Sequence, residues 1–489
     1  MDLIRNFIGG KFVAAQSGRT QPNINPANGE SLGEVTSSGV GEVTAAVAAA
    51  KAAAHGWRTM TAPRRGEILF RAAAILRRRK DEVARALSLE EGKSLADAGG
   101  EVQRAINCIE FSAGEGRRGF GQVIPSELPS NLIYTRRIPL GVVALVTPWN
   151  FPVAIPMWKA AAALVCGNTL VLKPASSTPW CAQLMTEVLV EAGIPEGVWN
   201  VIYGPGSSIG DALVNHPDVA AISFTGSNDI GQRLHALGAA QNKKVQCEMG
   251  GKNAIIILDD ADLDLAAAAT VQGAFFSTGQ RCTATSRAVV CKQVLKPYLQ
   301  LVVEKAKALK VGSGVTAGVQ VGPIVDERQF ATVMKYLEIG KQEAQLECGG
   351  ERMGGELAAG FFVPPTVFSG VRRDHRLAQE EIFGPVLSVL EVADEAEAFA
   401  VANDSRYGLS SSVYTRDVGR VFRYIDQVET GILHVNSATI GGEAQVPFGG
   451  LKDTGVGGRE QGTTALEFFT EWQSIYIDYT GEKRTASFY

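Results

Sequence analysis

Cys282, Glu248 and Asn150 stand far apart in the chain and share one chemistry. Cys282 lies in the stretch "STGQRCTATSR", directly after Gly279, Gln280 and Arg281, with small hydroxyl residues behind it. A cysteine held for packing prefers an apolar pocket. A nucleophilic cysteine wants partial exposure, a nearby cation and room for a reactant. Glu248, in "CEMGGKN", precedes Gly250 and Gly251 and leads into an apolar run. Burial in such a setting raises a carboxyl pKa toward that of a general base working near neutrality. Asn150, in "TPWNFP", can aim a side-chain amide at a developing oxyanion. Together the three describe attack of a thiolate on a carbonyl carbon, followed by release with water. Each also has an ordinary reading: a space-filling loop thiol, a surface carboxylate, and a turn asparagine before Pro152.

Glycine turns after apolar strands add a second kind of site. "SFTGSNDIG" runs from a strand through Gly226 to Ser227, a residue type that caps helices. Free amides and the positive end of a helix dipole at that point suit a pyrophosphate. "YGPGSSIG" places Gly204, Gly206 and Gly210 after a strand, without the spacing of the dinucleotide fingerprint. Lys173 ends the apolar run "LVLK", where an ammonium needs an anion or solvent. Glu381 and Phe383 in "EEIFGPV" carry little weight in isolation.

The elements that must position these groups can be read from periodicity. Residues 40–118 are alanine-rich or show apolar residues at three-to-four spacing, which predicts helices. "NLIYTRRIPL" alternates and contains a proline, which predicts an exposed strand or connector. From residue 141 apolar strands alternate with helices: "GVVALV", "NTLVLK", "VWNVIY" and "VAAISF", then a second set beginning with "NAIIIL" near 250. That alternation predicts an α/β fold with open parallel sheets covered on both faces, and ligands off the carboxyl ends of the strands. The tail "EFFTEWQSIYIDY" reads as a strand with no local partner, which points to pairing with another subunit.

At 489 residues the chain is too long for one core. With 45% hydrophobic and 20% charged residues it has the composition of a soluble globular protein. A net charge of −4 argues against a nucleic-acid partner. The seven cysteines are scattered with no close pairs, and the five histidines form no metal-binding pattern. No metal site is expected, and a reducing cytoplasm fits best. No stretch reaches the ~18 uninterrupted apolar residues of a spanning helix, so no membrane partner is expected.

Taken in order, "PWNFP", "GNTLVLKPASSTP", "FTGS", "EMGGKN", "GQRC", "EEIFGPV" and "PFGGLKDTGVGGREQG" resemble the motifs of the aldehyde dehydrogenase superfamily, over nearly the whole chain. The resemblance implies a Rossmann-type cofactor domain (1–118 and 141–249), an α/β catalytic domain (250–447) and a small bridging element for oligomerisation (119–140 and 448–489). It implies a homodimer or a homotetramer built as a dimer of dimers. Cys282 would be the nucleophile, Glu248 the base, Asn150 with the Cys282 amide the oxyanion hole, and Lys159 a further catalytic residue. Lys173 would reach the adenosine ribose, Glu381 the nicotinamide ribose and Phe383 the nicotinamide; Gly226 and Ser227 would lie along the pyrophosphate. Thr147, Trp149, Ser176, Gly206, Phe224, Ile230 and Gly250 complete the cofactor set. Glutamate at 248 favours hydrolysis to the free acid over transfer to coenzyme A. Serine at 176, where NAD-preferring relatives often carry glutamate, leads to the expectation that NADP is accepted and NAD is also possible.

The substrate expectation is a small aldehyde bearing a carboxylate. "AGEGRRGFGQVIPS", "PVAIPMWKAAAALV", "GQRCTATSR" and "GGREQGTTALEFF" are most similar to the branch acting on 2,5-dioxopentanoate (α-ketoglutarate semialdehyde). Arg281 and Arg104 are the candidate carboxylate anchors, with Phe151, Trp158 and Phe448 also at the substrate. Trp158 occupies the place where succinate semialdehyde enzymes often carry arginine. A broad-range or other semialdehyde dehydrogenase is the alternative within the family. A cysteine hydrolase without redox chemistry is the rival outside it, and it would need a histidine base that no neighbouring position supplies.

Overall fold

The computed structural model describes residues 3–118 and 121–483. The margins of the expected bridging segments, 119–120 and 484–489, lie outside the described residues. The region after residue 40 forms the helices Val40–Thr59, Ala62–Arg78, Lys80–Glu90 and Leu95–Glu115. Local chemistry sets their starts. Pro63 occupies the first turn of the second helix, where its missing N–H costs nothing. Ser94 Oγ caps the fourth by accepting the Asp97 N–H at 3.1 Å. Leu69, Ala72 and Leu76 pack with Val102, Ile106 and Ile109 in one buried cluster.

Five parallel strands form the centre of the first sheet, in the order Trp199–Val201, Thr169–Lys173, Val142–Val146, Val219–Thr225 and Lys244–Glu248. Among these five the first in sequence is the central Val142–Val146, and the chain then moves outward to one side. It then crosses to Val219–Thr225 on the other side. The crevice between these two strands is a topological switch point, where ligands bind off the carboxyl ends. Thr147, Trp149 and Asn150 follow one strand there, and Gly226 and Ser227 follow the other. Lys173 and Glu248 end the neighbouring strands.

The second sheet has seven strands: Gln345–Cys348, Thr366–Ser369, Val386–Val392, Thr285–Cys291, Asn253–Ile257, Ser410–Tyr414 and Ile432–Val435. All but the first run parallel. Lys244–Glu248 of the first sheet passes through Gly250 and Gly251 straight into Asn253–Ile257. The carboxyl edge of one sheet therefore adjoins the amino edge of the other. Cys282 and Glu381 sit just before strands at that amino edge.

The tail strand, expected to lack a local partner, has a remote one. Thr470–Asp478 has a partner within its own chain, pairing antiparallel with Asn131–Pro139 from Thr470↔Pro139 to Asp478↔Asn131. The partner lies too far back in sequence for a local reading to find it. Gly455–Val456, inside the segment expected to bridge, adds instead to the edge of the first sheet beside Cys247 and Glu248. Among the described residues no helix is long and apolar enough to cross a membrane.

Candidate active site

The loop that carries Cys282 is held in an unusual backbone shape. After the helix Leu263–Phe275 the chain turns through Ser277 and Thr278, with φ of 50° and 57°, and then Gly279 with φ of 65°. Left-handed non-glycine residues cost on the order of 1–3 kcal/mol each, so neighbours must hold them. Asp97 accepts the Ser277 N–H at 3.0 Å, Thr278 Oγ1 donates to Gly322 O at 3.1 Å, and Gln280 Oε1 accepts the Val325 N–H at 3.0 Å. A Cβ at Gly279 would stand 2.2 Å from Gly384 O, which only glycine avoids. Asn253 clamps the other side. Its Nδ2 donates to Cys282 O at 2.7 Å and Ala284 O at 2.9 Å, while its Oδ1 accepts the Ser410 N–H at 3.0 Å.

The half-buried Cys282 opens on a cavity of about 700 Å³ that Arg104, Phe151, Trp158, Arg281 and Phe448 also line. All of the expected substrate residues are thus brought to one place. The two arginines differ. Arg281 is paired with Asp97 at 2.7 Å and also donates to Ser277 Oγ at 2.8 Å. Arg104 donates to two neutral acceptors, Gly442 O and, at 3.0 Å, Gln461 Oε1, and its guanidinium lies 5.4 Å from the Trp158 ring centre. Among the described residues no carboxylate pairs with Arg104.

Burial pushes the Cys282 thiol up to about 12, and the Glu248 and Glu381 carboxyls add to the rise. Arg104 opposes it. The cation adjacent in sequence, Arg281, is compensated by Asp97; the one whose field favours the thiolate comes from a distant helix.

Asn150 is buried, and its Nδ2 donates to Gln280 O at 3.1 Å, leaving its second N–H for another acceptor. Glu248 is 4% exposed with Oε2 unpartnered. Burial first, then the charge of Glu460, holds its carboxyl well above the usual range, against the pull of Lys159, Arg459 and the Gly450 amide. Lys159 Nζ forms a buried ion pair with Glu460 and donates to Ser223 Oγ at 2.8 Å. Trp158 Nε1 donates to the same Glu460 at 2.7 Å. Sequence reasoning missed Glu460, Asn253 and Asp97, although the first two lie within stretches quoted for their motifs.

The switch-point crevice suits a dinucleotide. Thr147 Oγ1 and Thr225 Oγ1 are buried with no hydrogen-bond partner among the described residues. Among the described residues Lys173 Nζ donates only to Pro174 O, at 2.9 Å, and burial lowers its pKa to about 8. These are polar groups awaiting a polar ligand. Gly206 begins the helix Gly206–Asn215 about 4.0 Å from Lys173 Cε, measured from where a Cβ would stand. Ser227 occupies the N-cap of Asn228–Ala239, though its side chain makes no capping bond. That leaves the first-turn amides unsatisfied, and Ile230 on that turn is exposed. Phe224 packs beneath Gly226 and Gly231 with no room for a Cβ on either.

At the amino edge of the second sheet, Glu381 accepts the Gly251 N–H at 2.8 Å, and a Cβ at Gly250 would lie 2.3 Å from its carboxyl. Trp149 and Phe383 meet edge to face with ring centres 5.4 Å apart. Ser176 Oγ donates to Gly204 O at 3.4 Å and lines a separate cavity of about 510 Å³ with Asp326 and Glu327. These residues fit NAD(P), with Lys173, Ser227 and Glu381 as its expected contacts.

The chain matches the aldehyde dehydrogenase family over residues 12–475. It is 42% identical over 475 residues to an alpha-ketoglutaric semialdehyde dehydrogenase of Bacillus subtilis (strain 168), covering 96% of this chain and 97% of that one. It is also 42% identical over 465 residues to a 2,5-dioxopentanoate dehydrogenase of Saccharolobus solfataricus, covering 94% and 96%. Among solved structures, an NADP-dependent enzyme of E. coli superposes with a TM-score of 0.94 at 37% identity, over 97% of this chain and 98% of the other. A betaine aldehyde dehydrogenase of Staphylococcus aureus in complex with NAD+ superposes with a TM-score of 0.96 at 32% identity, over 99% and 96%. With sequence and fold agreeing from end to end around one cysteine-bearing cavity, the chain belongs to the aldehyde dehydrogenase family of NAD(P)-dependent enzymes.

Proposed function

We propose that this enzyme oxidises 2,5-dioxopentanoate to 2-oxoglutarate. The observation that carries the substrate is Arg104, an uncompensated cation on the wall of the cavity that opens on Cys282. A carboxylate at the far end of a short aldehyde can pair with it while the carbonyl reaches the thiol. The names of the Bacillus and Saccharolobus relatives support the same class. Arg281 has its counter-ion already and serves the loop rather than the substrate.

The chemistry follows from the side chains. The Cys282 thiol gives its proton to water, the thiolate sulfur forms a bond to the carbonyl carbon, and the C=O pair becomes an oxyanion. The free N–H of Asn150 and the Cys282 backbone N–H donate hydrogen bonds to that oxyanion. NAD(P), held by Lys173, Ser227 and Glu381, would supply the hydride acceptor for the oxidation that leaves a thioester on Cys282. Glu248 then takes a proton from water, the hydroxide attacks the thioester, and the acid leaves as the thiol is restored. The raised pKa of Glu248 suits a base that must hold and then release a proton. Lys159 and Glu460, whose charges both reach Glu248, offer that proton a buried polar neighbour.

Residues 1–118 and 141–249 are assigned to cofactor binding and 250–447 to catalysis. NADP is the proposed oxidant with NAD also usable, on the strength of serine rather than glutamate at 176. A reduced-cofactor assay tests the whole reading. With NADP and with NAD, 2,5-dioxopentanoate should show a kcat/KM well above succinate semialdehyde and hexanal. Arg104→Met should raise KM for 2,5-dioxopentanoate about 10- to 100-fold, the ~1.5–3 kcal/mol of a charged hydrogen bond, and spare hexanal. Equal effects on both aldehydes, or a preference for hexanal, would remove the substrate assignment. The aromatic wall of Phe151, Trp158 and Phe448 favours that second, broad-range reading.

The chain is also proposed to work as a homodimer or a dimer of dimers. The edge strand Thr470–Asp478 exposes Trp472, Tyr476 and Ile477, and Ile432–Val435 ends the second sheet. Unpaired edges of this kind take another strand. Light scattering should give two or four times the chain mass; a monomer mass would sink the proposal.

A further inference from the structure

Beneath the loop of Asn150 lies a buried ion pair that the reaction scheme does not use. Lys93 is 1% exposed and Glu101 is 2% exposed. Lys93 Nζ donates to Glu101 Oε2 at 2.7 Å and to the backbone oxygen of Asn150 at 2.6 Å, and it stands 4.2 Å from the centre of the Phe151 ring. Glu91 Oε2 is 3.8 Å away on the other side. The second oxygen of Glu101 accepts the N–H groups of Val153 and Ala154, at 2.8 and 3.1 Å. Ala154 begins the helix Ala154–Cys166, which carries Trp158 and Lys159. One pair thus grips the residues on both sides of the turn that presents the Asn150 amide.

The grip belongs to a larger face. Asp97, Glu101 and Arg104 stand at i, i+4 and i+7 on the helix Leu95–Glu115, so they share one side of it. Asp97 holds the Cys282 loop through Ser277 and Arg281, Glu101 holds the Asn150 turn, and Arg104 holds Gly442 and Gln461. A buried ion pair is a poor source of stability, because packed apolar residues do as well without the cost of desolvation. Its use lies in fixing direction.

We propose that Lys93 and Glu101 are positioning residues that aim the Asn150 amide at the reacting oxygen; this rests on the reading of Asn150 as an oxyanion donor. The pair acts on Asn150 through its backbone oxygen and through the start of the following helix; Glu101 borders the Cys282 cavity, but both of its oxygens are taken up by Lys93 and by the Val153 and Ala154 amides. Its removal should therefore lower kcat through Asn150 and leave cofactor binding alone.

The test compares wild type, Asn150→Ala, Lys93→Met/Glu101→Gln and the triple variant. The paired change removes both charges together and keeps an oxygen for the Val153 and Ala154 amides. Turnover of hexanal, dissociation of NADPH followed by its fluorescence, and the thermal midpoint are measured for each. Asn150→Ala should lose about 10²–10³ in kcat. The paired variant should lose at least about tenfold in kcat with NADPH affinity within about twofold of wild type, and the triple variant should be no slower than Asn150→Ala alone. A wild-type kcat in the paired variant, or losses that multiply in the triple variant, overturn the proposal while leaving Asn150 in its role. A normal kcat in Asn150→Ala removes that role and this proposal with it. If the paired variant does not fold, Lys93→Arg keeps the charge and shifts the donor. A lower kcat with unchanged NADPH affinity then supports the proposal, and a wild-type kcat overturns it.

Discussion

Cys282→Ala should abolish turnover, with a loss on the order of 10⁵-fold or more, as when other covalent catalysts lose their nucleophile. No other thiol can stand in. Five of the remaining cysteines are buried, and Cys166 lies against Leu466 O, away from the cavity. The substitution removes one sulfur from a loop that Asn253, Asp97 and Thr278 hold through backbone and side-chain bonds, so folding and NADPH binding should survive. Iodoacetamide supplies the companion measurement on wild type. With the thiol pushed up to about 12, its thiolate fraction, and with it the alkylation rate, should rise about tenfold per pH unit between pH 7 and 10. Residual turnover in the alanine variant above about a thousandth of wild type would displace Cys282 from its role.

Glu248→Gln should separate the two halves of the reaction. The amide keeps the shape that fits against Gly449 and Gly455 and still accepts from Gly450, so the cavity stays intact. What disappears is the ability to take a proton from water. A rapid burst of reduced cofactor, near one equivalent per site, should remain, and the steady state should fall about 10²–10⁴-fold. The wild-type pH profile carries the sign. A carboxyl held above its usual range is protonated and idle at low pH, and becomes a base only as the pH rises. Wild-type deacylation should therefore climb with pH through the range of the raised Glu248, and Glu248→Gln should lose that limb. An unchanged steady state in the glutamine variant would sink the assignment of the base.

Some of this was legible from short stretches. "SFTGS" is a strand end, a glycine and a cap because its local chemistry permits little else, and the structure starts a helix at Asn228. "WKAAAALVCG" reads as a helix stopped by glycine, and Gly167 stands there with φ of 99°. The partner of the tail strand was not legible because it is chosen by the fold. Nothing near residue 470 hints at Asn131–Pro139. Sequence left open whether Arg281 faces the thiol; side chains at i and i+1 point apart, and Asp97 claims it.

The sequence by itself determined the alternation of strands and helices, the residue types that carry the chemistry and the loops on which they stand. These depend on patterns a few residues long. The tertiary structure alone decided which charges remain uncompensated. Among the described residues Arg104 has no ion pair with a carboxylate and Arg281 has one, Glu248 shares its surroundings with Glu460 and Lys159, and Lys93 is buried under Asn150 with Glu101. Electrostatic partnership depends on distance in space and on the exclusion of water, and both are set only when remote segments pack together.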